Sequence, residues 1–345
     1  MPYNILKFKD KEKNMTIRDI AKQLNISIST VSKALNGATD ISEKTRTKII
    51  NYANKVGYTS RRKNIKDNRI CFLFESFDND NRNEMLYSVM LSFNKYASAQ
   101  GYEIIHDCID TKPENFDLAE YFTQNNFVAA FIAGINSHSC IFKQLIKSPI
   151  PIVLLDNNIP SAKNLSTVSS DNITAIESAV YYLSKNGHKK IGLVAGECES
   201  LVSVERLAGY ILGIARLGYD INTCSIYYGN FTRKSGESAA EFYNDKDYTA
   251  VICCSDIMAI GFIDGLKKLG KKVPEDISVI GFDDLEFLKF TNYNLTTFKQ
   301  NLDGIGKAAF LQIVDMLNGN NPRRTMLECE LIQRGTVKSI TNNIN

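Results

Sequence analysis

Apolar positions fall at helical spacing in three short bursts near the start of the chain. Further on they fall in brief runs divided by amphipathic stretches. Ile17, Ile20, Ala21 and Leu24 share one helical face, with Thr16 placed as cap and Asp19 three positions on to complete a capping box. Asn25-Ile26-Ser27 breaks the period, and Ser27 can cap a second helix from Ile28 to Leu35. There Val31, Ala34 and Leu35 turn inward, leaving Ser29, Thr30, Ser32 and Lys33 outside. Ser42 can cap a third helix, Glu43 to about Val56, stopped by Gly57, whose missing Cβ suits a left-handed C-terminal position. An ordinary helical hairpin with a polar outer face has the same pattern. Three helices in about forty residues, the second exposing short hydrogen-bonding side chains, form a helix-turn-helix layout suited to base edges and phosphates.

From Arg69 onward the period changes. Strand-like runs at Ile70–Phe74, Glu103–His106, Ala129–Ala133 and Ile152–Leu155 are followed by others at Ile191–Val194, Ile226–Tyr228, Ala250–Cys253 and Ile277–Phe282. Helical stretches alternate with them, among them Glu84–Gln100, Thr174–Asn186, Val204–Leu217, Ser235–Tyr243 and Ile257–Leu269. This alternation predicts an α/β fold with parallel sheets covered on both faces, in two doubly wound lobes divided near Pro160. Ligands of such sheets bind outside the carboxyl ends of the strands.

Charge sharpens the division. Residues 1–69 carry 16 Lys and Arg against 6 Asp and Glu, while the remainder carries 25 against 32. A basic head on an acidic body fits a DNA-binding module joined to a different domain, although a solvated basic tail has the same balance. No apolar run approaches the length of a membrane span, and MPYNILKFKDKEKN lacks a signal-like apolar core, so the expectation is a cytoplasmic protein. The eight cysteines form no C-x-x-C pair; Cys253-Cys254 lies in the apolar run AVICCS, as buried thiols or a redox switch. Three histidines without ligand spacing give no metal site, and no cofactor is expected. Nor is there a Gly-x-Gly-x-x-Gly after a strand, a P-loop, or a supported Ser/His/Asp set, so no catalytic residue is assigned.

MTIRDIAKQLNISISTVSKALNG, ISEKTR and the closing Gly57-Tyr58 together resemble the headpiece of the lactose/galactose repressor family. Further along, IVLLD, Ser170-Asp171-Asn172, NGHKKIGLVAG, ERLAGY, CCSDIMAIG, VPEDISVIGFDD and LTTFKQN resemble that family's sensor domain. The likeness covers nearly all of Met15 to Asn345 and implies a type I periplasmic-binding-protein fold behind the headpiece. The implied division is an extension at 1–14, with Met15 an alternative start, a headpiece at 15–58 and a basic linker at 59–69. Residues 70–345 then form the sensor: a first lobe at about 70–160 plus 285–318, and a second at about 161–284 plus 319–340.

The resemblance implies base reading by Ile28, Ser29 and Lys33, with phosphate contacts from Ser27, Thr30, Ser32 and Asn36. Thr16, Arg61 and Arg62 join the DNA-facing set. Lys33 stands where the family usually has arginine, a better bidentate partner for guanine. The linker TSRRKNIKDNR is shorter than the family's and lacks the leucine that wedges into the minor groove; Ile65 is the apolar candidate, and a flexible charged tether is the alternative.

For the effector the resemblance implies Arg206, Asp283, Asp156 and Phe231, with Ser255 replacing the usual asparagine and Asp171 and Asp256 divided between ligand contact and helix capping. Phe77 to Glu84 reads as polar where the family has aromatic walls, which favours a hydroxylated ligand such as a sugar over a flat purine. The expected protein is a homodimeric regulator, by default a repressor of sugar-metabolism genes. It would bind a pseudo-palindromic double-stranded operator and be controlled by a small polar metabolite, or by a protein corepressor, with no membrane partner. A solute-binding protein serving a sugar transporter is the alternative from another class.

Overall fold

The computed structural model describes residues 16–35, 41–56, 68–75, 80–113, 115–135, 139–159, 162–221 and 224–340. The extension, Asn36, Gly57 and the linker residues Arg61, Arg62 and Ile65 lie outside the described residues, and so do residues 77–79 of the Phe77–Glu84 segment. The chain divides into two compact units, residues 1–68 and 69–345.

Among the described residues the first unit holds three helices: α1 (Ile17–Leu24), α2 (Ile28–Leu35) and α3 (Glu43–Lys55). The Thr16 hydroxyl accepts from the Asp19 N–H, and the Asp19 carboxylate accepts from the Thr16 N–H at 2.8 Å, which closes the capping box. Asn25 ends α1 in the left-handed region (φ 54°), a conformation its short amide side chain tolerates. Ile20, Ala21, Val31, Ala34, Ile49 and Ala53 form the core, with Ile17, Leu24 and Leu35 packed against it.

The second unit contains two six-stranded sheets. The first-lobe sheet takes β1 (Arg69–Phe74), β2 (Glu103–Cys108), β3 (Phe127–Ala133), β4 (Ile152–Leu155), β5 (Leu165–Ser170) and β11 (Arg324–Leu327), all parallel, in the order β11-β5-β4-β3-β1-β2. The second-lobe sheet takes β6 (Ile191–Ala195), β7 (Ser225–Tyr228), β8 (Ala250–Cys253), β9 (Ser278–Asp283), β10 (Thr296–Lys299) and β12 (Glu330–Ile332), in the order β12-β10-β9-β8-β6-β7, with only β12 antiparallel. Side chains alternate across β1: Ile70 and Phe72 pack beneath α4 (Asp80–Ala99) and α11 (Leu302–Leu317), while Cys71 and Leu73 join the opposite core.

The chain passes between the lobes three times. It leaves β5 for α7 (Asn172–Lys185), returns from β10 to α11, and passes from β11 to β12. The crossings are bonded together, the Asp171 N–H donating to Leu327 O at 2.7 Å and the Ser170 hydroxyl to Gln300 Oε1 at 2.6 Å.

This connectivity departs from the expected division in three places. β5 belongs to the first sheet, so that lobe runs past Pro160 to Ser170; β10 belongs to the second sheet although it follows residue 285; and β11 belongs to the first although it follows residue 319. The serine-rich β5, Leu165–Ser170, carries no apolar alternation, yet it is buried along its whole length. Ser166, Ser169 and Ser170 can be buried because their hydroxyls donate to Met316 Sδ, Asp156 Oδ1 and Gln300 Oε1.

Candidate functional site

In the helix-turn-helix the Ser27 hydroxyl accepts from the Thr30 N–H at 3.0 Å and lies 2.8 Å from the hydroxyls of both Ser29 and Thr30. The cap of α2 is thereby also a cluster of three hydroxyls at the helix N-terminus, where the helix dipole favours phosphate. Ile28, Ser29 and Lys33 are exposed, and Thr30 and Ser32 half-buried. Ile28, beside this cluster, is 48% exposed, a large apolar side chain left half open to water. Thr16 is bound up in capping α1.

The second unit has a cleft of about 150 Å³ between its lobes, at the carboxyl ends of the strands. Asp156, Arg206, Phe231, Ser255 and Asp283 all line it, arriving from both lobes. Arg206, on α8 (Leu201–Arg216), is 4% exposed. Its Nε donates to Asn172 Oδ1 at 2.9 Å and its Nη1 to Cys254 O at 2.6 Å, while its guanidinium lies 3.7 Å over the Phe282 ring. These contacts fix the plane of the fork and leave Nη2 4.0 Å from Asp283 Oδ1.

Arg206 does not pair with its neighbour Glu205. That carboxylate instead accepts from Arg324 of β11 and from Asn172 Nδ2, the latter at 2.9 Å. Asn172 therefore holds both side chains, which ties the cleft arginine to an ion pair joining the two lobes.

Asp283 accepts from Gln300 Nε2 at 2.8 Å, and Asp156 from Ser169 at 2.7 Å. Loss of solvent holds both carboxyls above the usual carboxylate range, Asp283 at about 6, with Arg206 acting against the rise in each. Asp156 (φ 55°), Phe231 (φ 61°) and Asp283 (φ 121°) all adopt left-handed backbone. Strain of this kind gathers where a site needs side chains aimed in particular directions. Phe231 reaches its place because position 196 is glycine: a Cβ there would fall 2.1 Å from the ring.

Two expected cleft residues lie elsewhere. Asp171 caps α7, accepting from the Thr174 N–H at 3.1 Å. Asp256 is fully buried between β9 and β10, accepting from Thr297 Oγ1 at 2.5 Å and the Leu285 N–H at 3.1 Å. Ser255, not Asp256, caps α10 (Asp256–Lys268), through the Met258 N–H. An aspartate before a helix has the same local signature whether it caps, braces strands or meets a ligand.

Gln300 and Asn172 carry no signal of their own in the sequence, though they stand in LTTFKQN and Ser170-Asp171-Asn172. Their roles arise only when the crossings meet. The described part of the first-lobe wall is also less polar than expected, with Met85, Leu86, Ile135 and Leu155 facing the cleft.

With this geometry in hand, relatives can be placed. Residues 16–60 match the bacterial regulatory proteins of the lacI family, and residues 180–337 match the periplasmic binding protein-like domain. The chain is 30% identical to the HTH-type transcriptional repressor CytR of Escherichia coli strain K12, across 97% of this chain and 100% of the relative. A solved complex of the regulator CelR with cellobiose superposes with a TM-score of 0.68 at 24% identity, covering 93% of this chain and 99% of that one. The lac repressor dimer bound to operator and the anti-inducer ONPF gives 0.67 at 21%, covering 94% and 100%. The chain belongs to the LacI family. It is a DNA-binding transcriptional regulator, not an enzyme.

Proposed function

We propose that this regulator represses as a homodimer, reading a pseudo-palindromic operator with α2 and responding to a small polyhydroxyl metabolite in the inter-lobe cleft. The headpiece is residues 15–58 and the linker 59–69. Ile28, Ser29 and Lys33 face bases, and Ser27, Thr30, Ser32, Asn36, Arg61 and Arg62 face phosphates. Acting on chromosomal DNA, the protein works in the cytoplasm.

The observation that carries the effector reading is Arg206: a buried guanidinium, oriented by Asn172 and Cys254, with Asp156, Asp283 and Gln300 around it. Donor and acceptor groups fixed at one end of a cleft, with Phe231 on one wall, suit a ring bearing adjacent hydroxyls. Cellobiose in CelR is a ligand of this kind. Effector binding would shift lobe closure and with it operator affinity, a coupling of typically about 1–3 kcal/mol.

Fluorescence anisotropy of the full chain on palindromic against scrambled duplexes tests operator reading; equal affinity near physiological salt sinks it. Thermal shift against a panel of sugars and nucleosides tests the cleft. A ligand at a hundredfold its Kd stabilises by about 2.7 kcal/mol. A panel without any shift moves control to a protein corepressor.

A further inference from the structure

We infer that Ser203 is a further ligand-contacting residue of the cleft, a hydroxyl held behind Phe231 that selects effectors carrying a hydroxyl group able to reach it. The inference rests on the cleft being an effector site. Ser203 is 3% exposed, and among the described residues its Oγ has no hydrogen-bond partner. The other buried polar side chains of α8 are all engaged. Glu205 holds Arg324 and Asn172, Arg206 holds Asn172 and Cys254 O, and the Tyr210 hydroxyl donates to Ile191 O at 2.7 Å. An unpaired hydroxyl in a core is destabilising, and alanine would fit the same position without that cost. Such a group in a packed interior points to a partner supplied from elsewhere.

Helix geometry places this hydroxyl at the cleft. Ser203 lies one turn after Ser200 and one turn before Arg206, and both of those line the cavity. It also lies against the ring of Phe231. A Cβ built on Gly196 would fall 2.1 Å from Phe231 Cζ and 2.5 Å from Ser203 Oγ, so ring and hydroxyl meet over the bare backbone that follows β6. Phe231 lines the cavity and Ser203 does not, which puts the ring on the cleft side of the hydroxyl. Phe231 is also held at φ 61°, a conformation that strains a bulky residue and favours any rearrangement that relieves it. Turning the ring toward a bound ligand uncovers Ser203, and Gly196 puts no side chain in the space the ring leaves. A serine hydroxyl both donates and accepts, so a ligand hydroxyl is its match. A ligand without one there leaves the cost of the buried oxygen in place.

The test is calorimetry on the full chain and on its Ser203→Ala variant, with glucose, ribose and cellobiose and with the deoxy forms of glucose and ribose as probes. Urea unfolding of both proteins without sugar accompanies it. Ser203→Ala should unfold at the parent's urea midpoint or above it, yet bind whichever sugar the parent binds about five- to tenfold more weakly. Removing one particular sugar hydroxyl should weaken the parent by a similar factor and leave Ser203→Ala unchanged. Undiminished sugar affinity in Ser203→Ala overturns the inference and leaves the effector site standing. A deoxy series that weakens variant and parent equally at every position does the same. So does a lower urea midpoint, which would show the hydroxyl already bonded within the protein. No binding by any of these sugars overturns the effector reading and this inference together.

Discussion

The outer face of α2 and the floor of the cleft both present hydrogen-bonding groups to a partner, but they are built in opposite ways. The α2 face comes from one short stretch, Ser27–Lys33 without the inward Val31, held by a cap within the same turn and largely open to water. The cleft floor brings Asp156, Asn172, Arg206, Asp283 and Gln300 from five separate segments, and its arginine is 4% exposed. The first surface is cheap to order and screened by salt; the second depends on tertiary structure and carries buried charge. Changes in the cleft should therefore alter stability and ligand response together, whereas changes on α2 should alter DNA binding with little effect on folding.

The largest expected effect is that of Arg206→Met. It removes the cation opposite buried Asp283 and Asp156 and should cost about 3–5 kcal/mol in urea unfolding, along with every ligand-induced thermal shift. A variant as stable as the parent would mean that the floor is not an electrostatic unit.

Next comes pH. Asp283 holds its proton more tightly folded, near pH 6, than the ordinary value of 3.8, so its contribution to stability is full below 3.8 and is lost as pH rises through about 6. Asp156 and Asp256 shift in the same direction. Urea midpoints of Asp283→Asn should show a flatter slope between pH 4 and 6 than the parent; an identical slope would assign the proton to another group.

On the α2 side, Lys33→Arg should strengthen binding to an operator with guanine at the contacted base, within the range of about 1–3 kcal/mol for a bidentate pair. Footprint titrations on operators varied at that base would show it, with the unfolding midpoint unchanged. Smallest is Ser27→Ala, which removes the α2 cap and should cost about 1 kcal/mol of headpiece stability, read by circular dichroism.

The same contrast explains how much of the molecule was legible beforehand. Thr16, Asp19, Ser27 and Ser42 announce α1 to α3 because capping is local, and the β-branched runs announce eight of the strands. β5 was hidden because its hydroxyls are satisfied by partners distant in sequence, Met316 and Gln300 among them. In the cleft, Arg206 and Asp283 stood in recognisable motifs. Asp171 and Asp256 stood in equally recognisable ones but serve helix and strands. What decides between those outcomes is where the crossings bring each side chain, and no stretch of sequence read alone contains that.

The threefold passage between lobes also bears on how the chain is made. The last strand of each sheet, β11 and β12, comes from residues 324–332, so both halves wait for nearly the whole chain to leave the ribosome. The headpiece, synthesised first and self-contained, is ready well before them. A premature stop late in the message would thus yield a molecule with an intact reading head and two unfinished lobes. Such a product would compete for operator sites while its exposed sheet edges marked it for degradation.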